Sequence, residues 1–395
     1  MTIAAGRVLF YVQHLLGIGH LKRAVSLVDA MTRAGLEVTL VTGGVPVPGL
    51  TIHAARHVQL PPASAADLSF KTLLDARGQP VDAQWKQVRC EQLMAAWQQT
   101  APHAIVVELF PFGRRQMRFE LLPLLDAAVA STHRPVIISS VRDVLGGGQA
   151  DPARQDQMLD TFERYFDHVL VHGDPALVPF ERTFRHTGRL GARLHYTGYV
   201  VGHPAPPPAA AAAAGSPGQG EVIVSVGGGA VGQQLLETAL LARPMSALAQ
   251  HRWRLLAGVN AGDADMARLL ELARSQPGVV VERYRADFAQ LLASCRLSIS
   301  QGGYNTVMDV LQARAAAVVV PFAGGAEVEQ SLRARLLAEK GWIELVEESA
   351  LAPATLARAI DRAAARPAGA ALSVNLDGAR NSATLVGQWI KDRGQ

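Results

Sequence analysis

The chain has 395 residues, 49% hydrophobic and 18% charged, with a formal net charge of +4 and a pI near 9.3. That length exceeds one ordinary core and predicts two domains of roughly 200 residues, and the composition excludes a disordered chain. Two cysteines, Cys90 and Cys295, exclude a disulfide scaffold and a four-cysteine zinc site, and no apolar run reaches the roughly 18 residues of a membrane span.

Met1 leads directly into an apolar strand, Val8–Val12, without a basic leader and cleavage site, so a cytoplasmic protein is expected. After that buried-type strand, Gly17-Ile18-Gly19-His20 forms a turn. Leu21–Ala34 then has helical spacing (Leu21, Ala24, Val25, Leu27, Val28, Met31), Gly35 stops the helix, and Glu37–Val41 is the next strand. Further strands are expected at Ala104–Val107 ending on Glu108, at Val136–Ser140 before Arg142-Asp143, and at His168–Val171 before His172-Gly173-Asp174. Polar residues at the carboxyl ends of parallel strands stand where open α/β sheets bind ligands. The densest basic cluster, Arg182–Arg193, is diluted by apolar residues and does not read as a nucleic-acid tract; the mild basic balance is compatible with a weak peripheral contact to a membrane.

Pro204–Gly220, with its proline cluster and alanine run, reads as a flexible surface insertion near a domain junction. A second βα series begins at Glu221: strand Val222–Val226, the turn Gly227-Gly228-Gly229, and helix Gln233–Leu241. Strands at Trp253–Ala257, Val279–Glu282, Leu297–Ser300 and Ala317–Val320 follow. Ala379–Lys391 has helical spacing and is expected to pack back on the first domain. The fold class is α/β, with two Rossmann-like doubly wound domains. The expected divisions are 1–198, a linker at 199–220, a second domain at 221–376, and a returning helix at 377–395.

Ser300-Gln301-Gly302-Gly303-Tyr304-Asn305-Thr306 joins a strand to a helix expected to begin near Thr306. Paired glycines let the backbone approach a ligand, and the helix N-terminus offers free N–H groups and a positive dipole end to a diphosphate. Asp309, one turn on, suits either a ribose hydroxyl pair or the helix dipole. After Ala317–Val320, Pro321-Phe322 leads to Glu327, Glu329 and Gln330, which read either as hydroxyl-binding groups or as ordinary acids at a helix start.

Ser300–Ala334 resembles the nucleotide-sugar motif of the GT-B glycosyltransferases, and the family-28 type above all. That type includes the GlcNAc transferase that makes the peptidoglycan lipid intermediate. The matching pattern is Ser-x-Gly-Gly with a Thr, an acid three later, a Val-Val-Pro-Phe strand end, then an acid or amide beside Gln and an Arg-Ala. Ser225–Gly229 and Gly17–His20 support it.

The resemblance implies two domains facing across a cleft, with the first holding the acceptor and the second the donor. It implies transfer of a hexose or N-acetylhexosamine from a nucleotide-diphosphate sugar, UDP-linked above all, to an acceptor hydroxyl. The transfer would proceed with inversion, without a metal and without a further cofactor. For the donor, it implies that Gly228 and Gly229 approach the diphosphate and that Gly302, Gly303, Asn305 and Thr306 form a second phosphate cradle. Asp309, in place of the usual Glu, would meet the ribose, Glu329 and Gln330 the sugar, and the Tyr284-Arg285 segment the base.

On the acceptor side, His20 beside Gly19 reads as the base that deprotonates the acceptor, or as a group bonded to the diphosphate or capping the helix. Glu108 reads as the base itself or as the acid that orients His20. The Phe110-Pro111-Phe112-Gly113-Arg114-Arg115 turn offers two arginines to an acceptor phosphate or carboxylate, and Arg142-Asp143 offers the same or a plain surface pair. This turn departs from the peptidoglycan enzyme, whose loops are richer in glycine, so the acceptor, small or lipid-linked, stays open. A sugar-nucleotide epimerase or hydrolase is the alternative on the same fold, and a non-catalytic sugar-binding module is another. An NAD-dependent oxidoreductase fits poorly, because Gly17-Ile18-Gly19 lacks the third glycine of that fingerprint. No nucleic-acid partner is expected.

Overall fold

Apolar runs that alternate with amphipathic segments form parallel strands joined by helices. The computed structural model describes residues 6–67, 70–146, 151–202, 216–227, 232–324, 328–366 and 373–394. The chain divides into two units, Met1–Val200 with Asn375–Gln395, and Val201–Val374.

The first unit runs β1 (Arg7–Val12), α1 (Gly19–Arg33), β2 (Glu37–Thr42), β3 (Arg56–Gln59), a small hairpin of β4 (Ser64–Ala65) and β5 (Leu73–Leu74), and α2 (Ala83–Thr100). It continues with β6 (Ala104–Glu108), α3 (Arg118–Ala130), β7 (Val136–Arg142), α4 (Pro152–Tyr165), β8 (His168–His172), α5 (Thr187–Leu190) and β9 (Leu194–Tyr196). The sheet order is β3-β2-β1-β6-β7-β8-β9, and every pair is parallel. Val8 to Val12 are wholly buried because helices cover both faces.

The predicted first helix starts two residues earlier than its apolar pattern. Ile18 is its N-cap residue, and its carbonyl takes the Lys22 N–H at 2.9 Å. The edge strands β3 and β9 are short and half-polar, so they carry no apolar run for a sequence reading to find.

The second unit runs β10 (Val222–Ser225), α6 (Gln233–Ala242), β11 (Trp253–Leu256), α7 (Asp263–Arg274), β12 (Val279–Glu282), α8 (Phe288–Ser294) and β13 (Leu297–Ser300). Then come α9 (Tyr304–Ala313), β14 (Ala317–Val319), α10 (Glu329–Glu339), β15 (Glu344–Leu345) and α11 (Pro353–Ala365). Its sheet order is β12-β11-β10-β13-β14-β15, again all parallel. In both sheets the first strand lies between the second and a later one, so each has a topological switch point, β1/β6 and β10/β13, where loops diverge and leave room for a ligand.

The last helix, α12 (Gly378–Arg393), belongs to the first unit. It packs on α1, with Ala383 and Val386 buried and Trp389 and Ile390 against the same apolar cluster. Of the Pro204–Gly220 stretch, residues 204–215 lie outside the described residues, as do Gly228, Gly229 and Glu327. Among the described residues no helix is long and apolar enough to cross a membrane.

Beneath the carboxyl ends of β1 and β2 lies a buried ionic network. Arg89 of α2 donates to both oxygens of Glu120 of α3 at 2.6 and 2.9 Å. It also donates to the carbonyls of Gly43 at 2.8 Å and Pro61 at 2.6 Å and to the Gln13 side chain. Arg89 and Glu120 are both fully buried.

Candidate functional site

β1 and β6 flank the first switch point, and the two candidate catalytic residues fall on either side of it. His20 is the second residue of α1, directly after the β1 loop, and Glu108 is the last residue of β6. His20 Nδ1 lies 3.0 Å from Glu108 Oε1. Arg23, one turn along α1, donates to the same carboxylate oxygen and reaches within 3.0 Å of His20 Nδ1. Ser140 donates to the other oxygen, Oε2, at 2.5 Å. Glu108 is 1% exposed, so this carboxylate is held from several sides away from bulk water.

The neighbours of His20 bear on its tautomer. Glu108 can only accept and favours a proton on Nδ1, against the pull of Arg23, which can only donate and lies 3.0 Å from the same nitrogen. Arg142, whose Nη2 stands 3.4 Å from Nε2, can only donate, which leaves Nε2 as the lone-pair nitrogen. Burial first, then the charges of Arg114, Arg142 and Arg23, hold His20 well below its usual range. A neutral imidazole with its lone pair on Nε2 and a carboxylate behind Nδ1 is equipped as a general base.

Three members of this cluster, Arg23, Ser140 and His14, were not among the residues singled out in the sequence, and His172 stood there only as a polar residue at a strand's carboxyl end. Arg23 had a signal, since it is three residues after His20 and so on the same helix face. Ser140 had a weaker one: it lies two residues before Arg142 and shares its face of β7. His172 bridges Ser140 Oγ at 2.9 Å and Thr197 Oγ1 at 3.0 Å, and burial pushes it down to about 3. His14 is buried with Nε2–H on the Val45 carbonyl at 2.9 Å and Nδ1 without a partner. Neither histidine sits in a motif.

The Phe110–Arg115 turn is built against the same strand ends. Phe110 and Phe112 are buried, and Phe112 packs edge-on against Phe180 and Phe184. The turn brings Arg114 back so that its Nε donates to the Gln13 carbonyl at 2.8 Å. Arg114 is half-buried and Arg115 is exposed. Asp143 corrects the surface-pair reading: it is fully buried, accepts from Tyr199 OH at 2.8 Å, and takes the Val144 N–H at 2.9 Å. Gly19 lies beside His20 in the first turn of α1.

In the second unit, Ser225 and Ser300 end β10 and β13 in register at the second switch point. Both hydroxyls are buried, and among the described residues neither has a hydrogen-bond partner. The helix after β13 begins at Tyr304, not near Thr306, with Gly303 as N-cap residue and neither a side-chain cap nor an acid in its first turn. Asn305 and Thr306 therefore lie within that first turn. Asp309 is the sixth helical residue, beyond the first turn to which the dipole effect is confined, so the dipole-partner reading fails on position. A Cβ on Gly303 would meet no atom of the described residues within 4 Å, so there is open space beside this N-cap residue. A Cβ on Gly302 would come within 3.2 Å of Gln330 and 3.3 Å of Pro321.

Gln330 Oε1 accepts the Phe322 N–H at 3.1 Å and so shapes the loop after β14. Glu329 accepts from Arg333 at 3.0 Å, and the Arg333 guanidinium lies 5.0 Å from the Tyr304 ring centre, which joins the starts of α9 and α10. Arg285 is paired with both oxygens of Asp287 at 2.8 and 2.6 Å, and Tyr284 beside it is 61% exposed. Among the described residues no group of three or more histidine, cysteine or carboxylate side chains is placed to hold a metal ion.

Residues 223–375 match the family described as glycosyltransferase family 28 C-terminal domain. The second unit is thus similar to the family-28 type of GT-B glycosyltransferase. It is 29% identical over 269 residues to a UDP-N-acetylglucosamine--N-acetylmuramyl-(pentapeptide) pyrophosphoryl-undecaprenol N-acetylglucosamine transferase of Granulibacter bethesdensis. That alignment covers 67% of this chain and 62% of the relative.

Solved GT-B structures extend the likeness over the whole chain. The calicheamicin glycosyltransferase CalG4 superposes with a TM-score of 0.59 at 18% identity, covering 98% of this chain and 95% of that one. MurG of Acinetobacter baumannii gives 0.58 at 16% identity, over 98% and 99% of the two chains. A UDP-glucosyltransferase from Polygonum tinctorium gives 0.59 at 15% identity over 100% of both. At such identities the likeness is one of fold.

Proposed function

We propose that this GT-B protein transfers a hexose or N-acetylhexosamine from a nucleotide-diphosphate sugar, UDP-linked above all, to an acceptor hydroxyl, with inversion and without a metal. The observation that carries the reading is the His20–Glu108 contact of 3.0 Å at the β1/β6 switch point, in a chain whose second unit matches a glycosyltransferase domain.

In this reading His20 Nε2 takes the proton of the acceptor hydroxyl as its oxygen attacks the anomeric carbon. The new C–O bond forms on the face opposite the breaking bond to the diphosphate, which departs with the electron pair. Glu108 steadies the imidazolium through Nδ1–H and does not itself take the proton. Arg23 and Ser140 fix the carboxylate, so the dyad needs no rearrangement when charge develops.

For the donor, the N-terminus of α9 and the Ser225 and Ser300 hydroxyls, which have no hydrogen-bond partner among the described residues, suit a diphosphate. Asn305 and Thr306 would add polar contacts there, with Gly302 allowing close backbone approach. Asp309 would reach the ribose, Glu329 and Gln330 the sugar, and the backbone at Tyr284-Arg285 the base; Gly228 and Gly229 are assigned to the diphosphate by resemblance alone. The relative from Granulibacter bethesdensis acts with UDP-N-acetylglucosamine by its name, which supports a UDP-linked donor.

The test is a screen of UDP, dTDP and GDP sugars by thermal shift and turnover, with and without candidate acceptors. Stabilisation by a UDP sugar with acceptor-dependent turnover is expected. Turnover that proceeds equally in buffer alone marks a hydrolase, and interconversion of the donor sugar marks an epimerase. Stabilisation by NAD or ADP-ribose and by no nucleotide sugar sinks the transfer reading.

A further inference from the structure

Glu108 is held from behind by a run of side chains that ends just past the edge strand β9. Ser140 of β7 lies between Glu108 Oε2, at 2.5 Å, and His172 Nε2, at 2.9 Å. His172 of β8 then reaches Thr197 Oγ1 through Nδ1 at 3.0 Å. Ser140, His172 and Thr197 are wholly buried.

The carboxylate sets the direction of the protons along this run. Two oxygens at 2.5 Å repel unless a proton lies between them, and a carboxylate only accepts, so the one Ser140 hydrogen points to Glu108. Ser140 Oγ then accepts from His172, which puts the histidine proton on Nε2 and leaves Nδ1 as a lone pair. The Thr197 hydroxyl stands against that lone pair. It also has the Gly198 carbonyl at 3.0 Å, so it is the softer end of the run. Burial pushes His172 down to about 3, so near neutrality the ring keeps one donor and one acceptor.

Thr197 is anchored where the chain leaves the first unit and comes back. Its carbonyl accepts from Asn381 Nδ2 of α12 at 2.8 Å. Two residues on, the Tyr199 amide donates to the Asn375 carbonyl at 2.8 Å, and the Tyr199 carbonyl accepts from the Gly378 amide at 3.0 Å. The Asn375 amide donates to the buried Asp174 at 2.9 Å. Val200 and Asn375 are the residues at which the first unit breaks off and resumes.

We propose that His172 and Thr197 are positioning residues of the transfer: they hold the Ser140 hydroxyl on Glu108, and so fix the carboxylate behind His20 from the crossover between β9 and α12. The proposal rests on the reading of His20 and Glu108 as the reacting pair, but the proton direction it requires is testable without turnover. His172 acts on the reaction only through Ser140, so losing either removes the same interaction.

The experiment follows kcat, KM and the pH profile of whole-chain variants, using the UDP sugar and acceptor that support turnover. His172→Phe keeps a ring and loses the N–H, and kcat is expected to fall about 3- to 30-fold with KM for the UDP sugar unchanged. The acid limb should move to higher pH, because a carboxylate short of a donor favours the imidazolium while the charges of Arg23, Arg114 and Arg142 stay as they were. His172→Gln, whose amide N–H stands in for Nε2–H, is expected to recover most of the rate. Ser140→Ala/His172→Phe should match Ser140→Ala alone within about 2-fold. Thr197→Val and Asn381→Ala are expected to lower kcat about 2- to 5-fold, and to do nothing further in the Ser140→Ala background. If His172→Phe folds poorly, Thr197→Val, which removes one hydroxyl, carries the same cycle. Effects that multiply across the cycle overturn the proposal, as does His172→Gln as slow as His172→Phe when both melt at the wild-type Tm.

Histidine nitrogen-15 spectra of the whole chain need no substrate. With His172 assigned by its absence from His172→Phe, a protonated Nε2 and a bare Nδ1 are expected, and a proton on Nδ1 overturns the proposal. If no UDP, dTDP or GDP sugar is turned over, the transfer reading fails, and the same spectra still judge the run. His20 ring signals that shift alike in Ser140→Ala and His172→Phe, and not in His172→Gln, uphold it; His20 signals indifferent to His172→Phe overturn it.

Discussion

Ser140 holds Glu108 through the carboxylate oxygen that His20 does not use, at 2.5 Å. Removing that hydroxyl leaves a buried charge short of one donor without touching the imidazole. Ser140→Ala is therefore expected to lower kcat roughly 3- to 30-fold, the loss of one charge-assisted hydrogen bond, while the affinity for UDP stays within error. A weakened UDP affinity at unchanged kcat would show Ser140 to be part of a different site.

His20 carries the proton in the proposed reaction, so His20→Ala is expected to lower kcat by roughly 10²- to 10⁴-fold with nucleotide binding intact. Because burial and three arginines hold His20 well below its usual range, the base form already dominates near neutrality. Activity should rise with pH along a limb centred well below 6.5 and be flat from about pH 7 to 8. A limb centred at 7 or above would remove His20 as the base.

Gly303 tests whether a ligand approaches the start of α9. A Cβ there meets nothing within 4 Å, and φ is −58°, so Gly303→Ala is expected to leave Tm unchanged. If the diphosphate lies against this backbone, the same substitution weakens UDP binding by about 10-fold or more, which corresponds to about 1.4 kcal/mol. Equal UDP affinity in wild type and Gly303→Ala places the diphosphate elsewhere.

Arg89 and Glu120 are buried together, so removing one strands the other. Arg89→Met is expected to destabilise the fold by about 3–5 kcal/mol in urea unfolding, and the double variant Arg89→Met/Glu120→Leu to recover part of that loss. A single variant as stable as wild type would mean that the network is not closed in solution.

His172 links stability to pH. Its folded-state value, pushed down to about 3 by burial, lies below the unfolded value of about 6.5. Such a group contributes stability that is fully present above 6.5 and lost as pH falls from there towards 3, at up to about 1.4 kcal/mol per pH unit. Replacing it with Asn should flatten that share of the acid limb in a stability-against-pH series, whatever its effect at pH 8.

The sequence pattern reached the two switch points because it reached the strands that make them. Val8–Val12 is an apolar run and Leu297–Ser300 alternates Leu and Ile with serine, both buried on both faces, and His20, Glu108 and Gly302 stand at or just after the carboxyl ends of such strands. What escaped was partnership across the sheet. Ser140 and His172 are ordinary residues of β7 and β8 until parallel register sets Ser140 opposite Glu108 and Arg142 opposite His172. The helices start two residues before the positions expected from the sequence, at Gly19 and Tyr304: α1 opens on Gly19 and His20 ahead of its apolar stripe, and Tyr304, buried at the head of α9, follows directly on two glycines and precedes two polar residues. Asp143 read either as an acceptor contact or as half of a surface pair with its neighbouring arginine, whereas Tyr199, far along the chain, turns it inward.

The first unit is assembled from both sides of the second: α12 joins the sheet that begins at β1, while Val201–Val374 is one uninterrupted stretch. This sets an order on the emerging polypeptide. The sheet from β10 to β15 has all its strands available before α12 has been synthesised. The apolar flank of α1 that meets Val386 and Ile390 waits, uncovered, until the last helix leaves the ribosome.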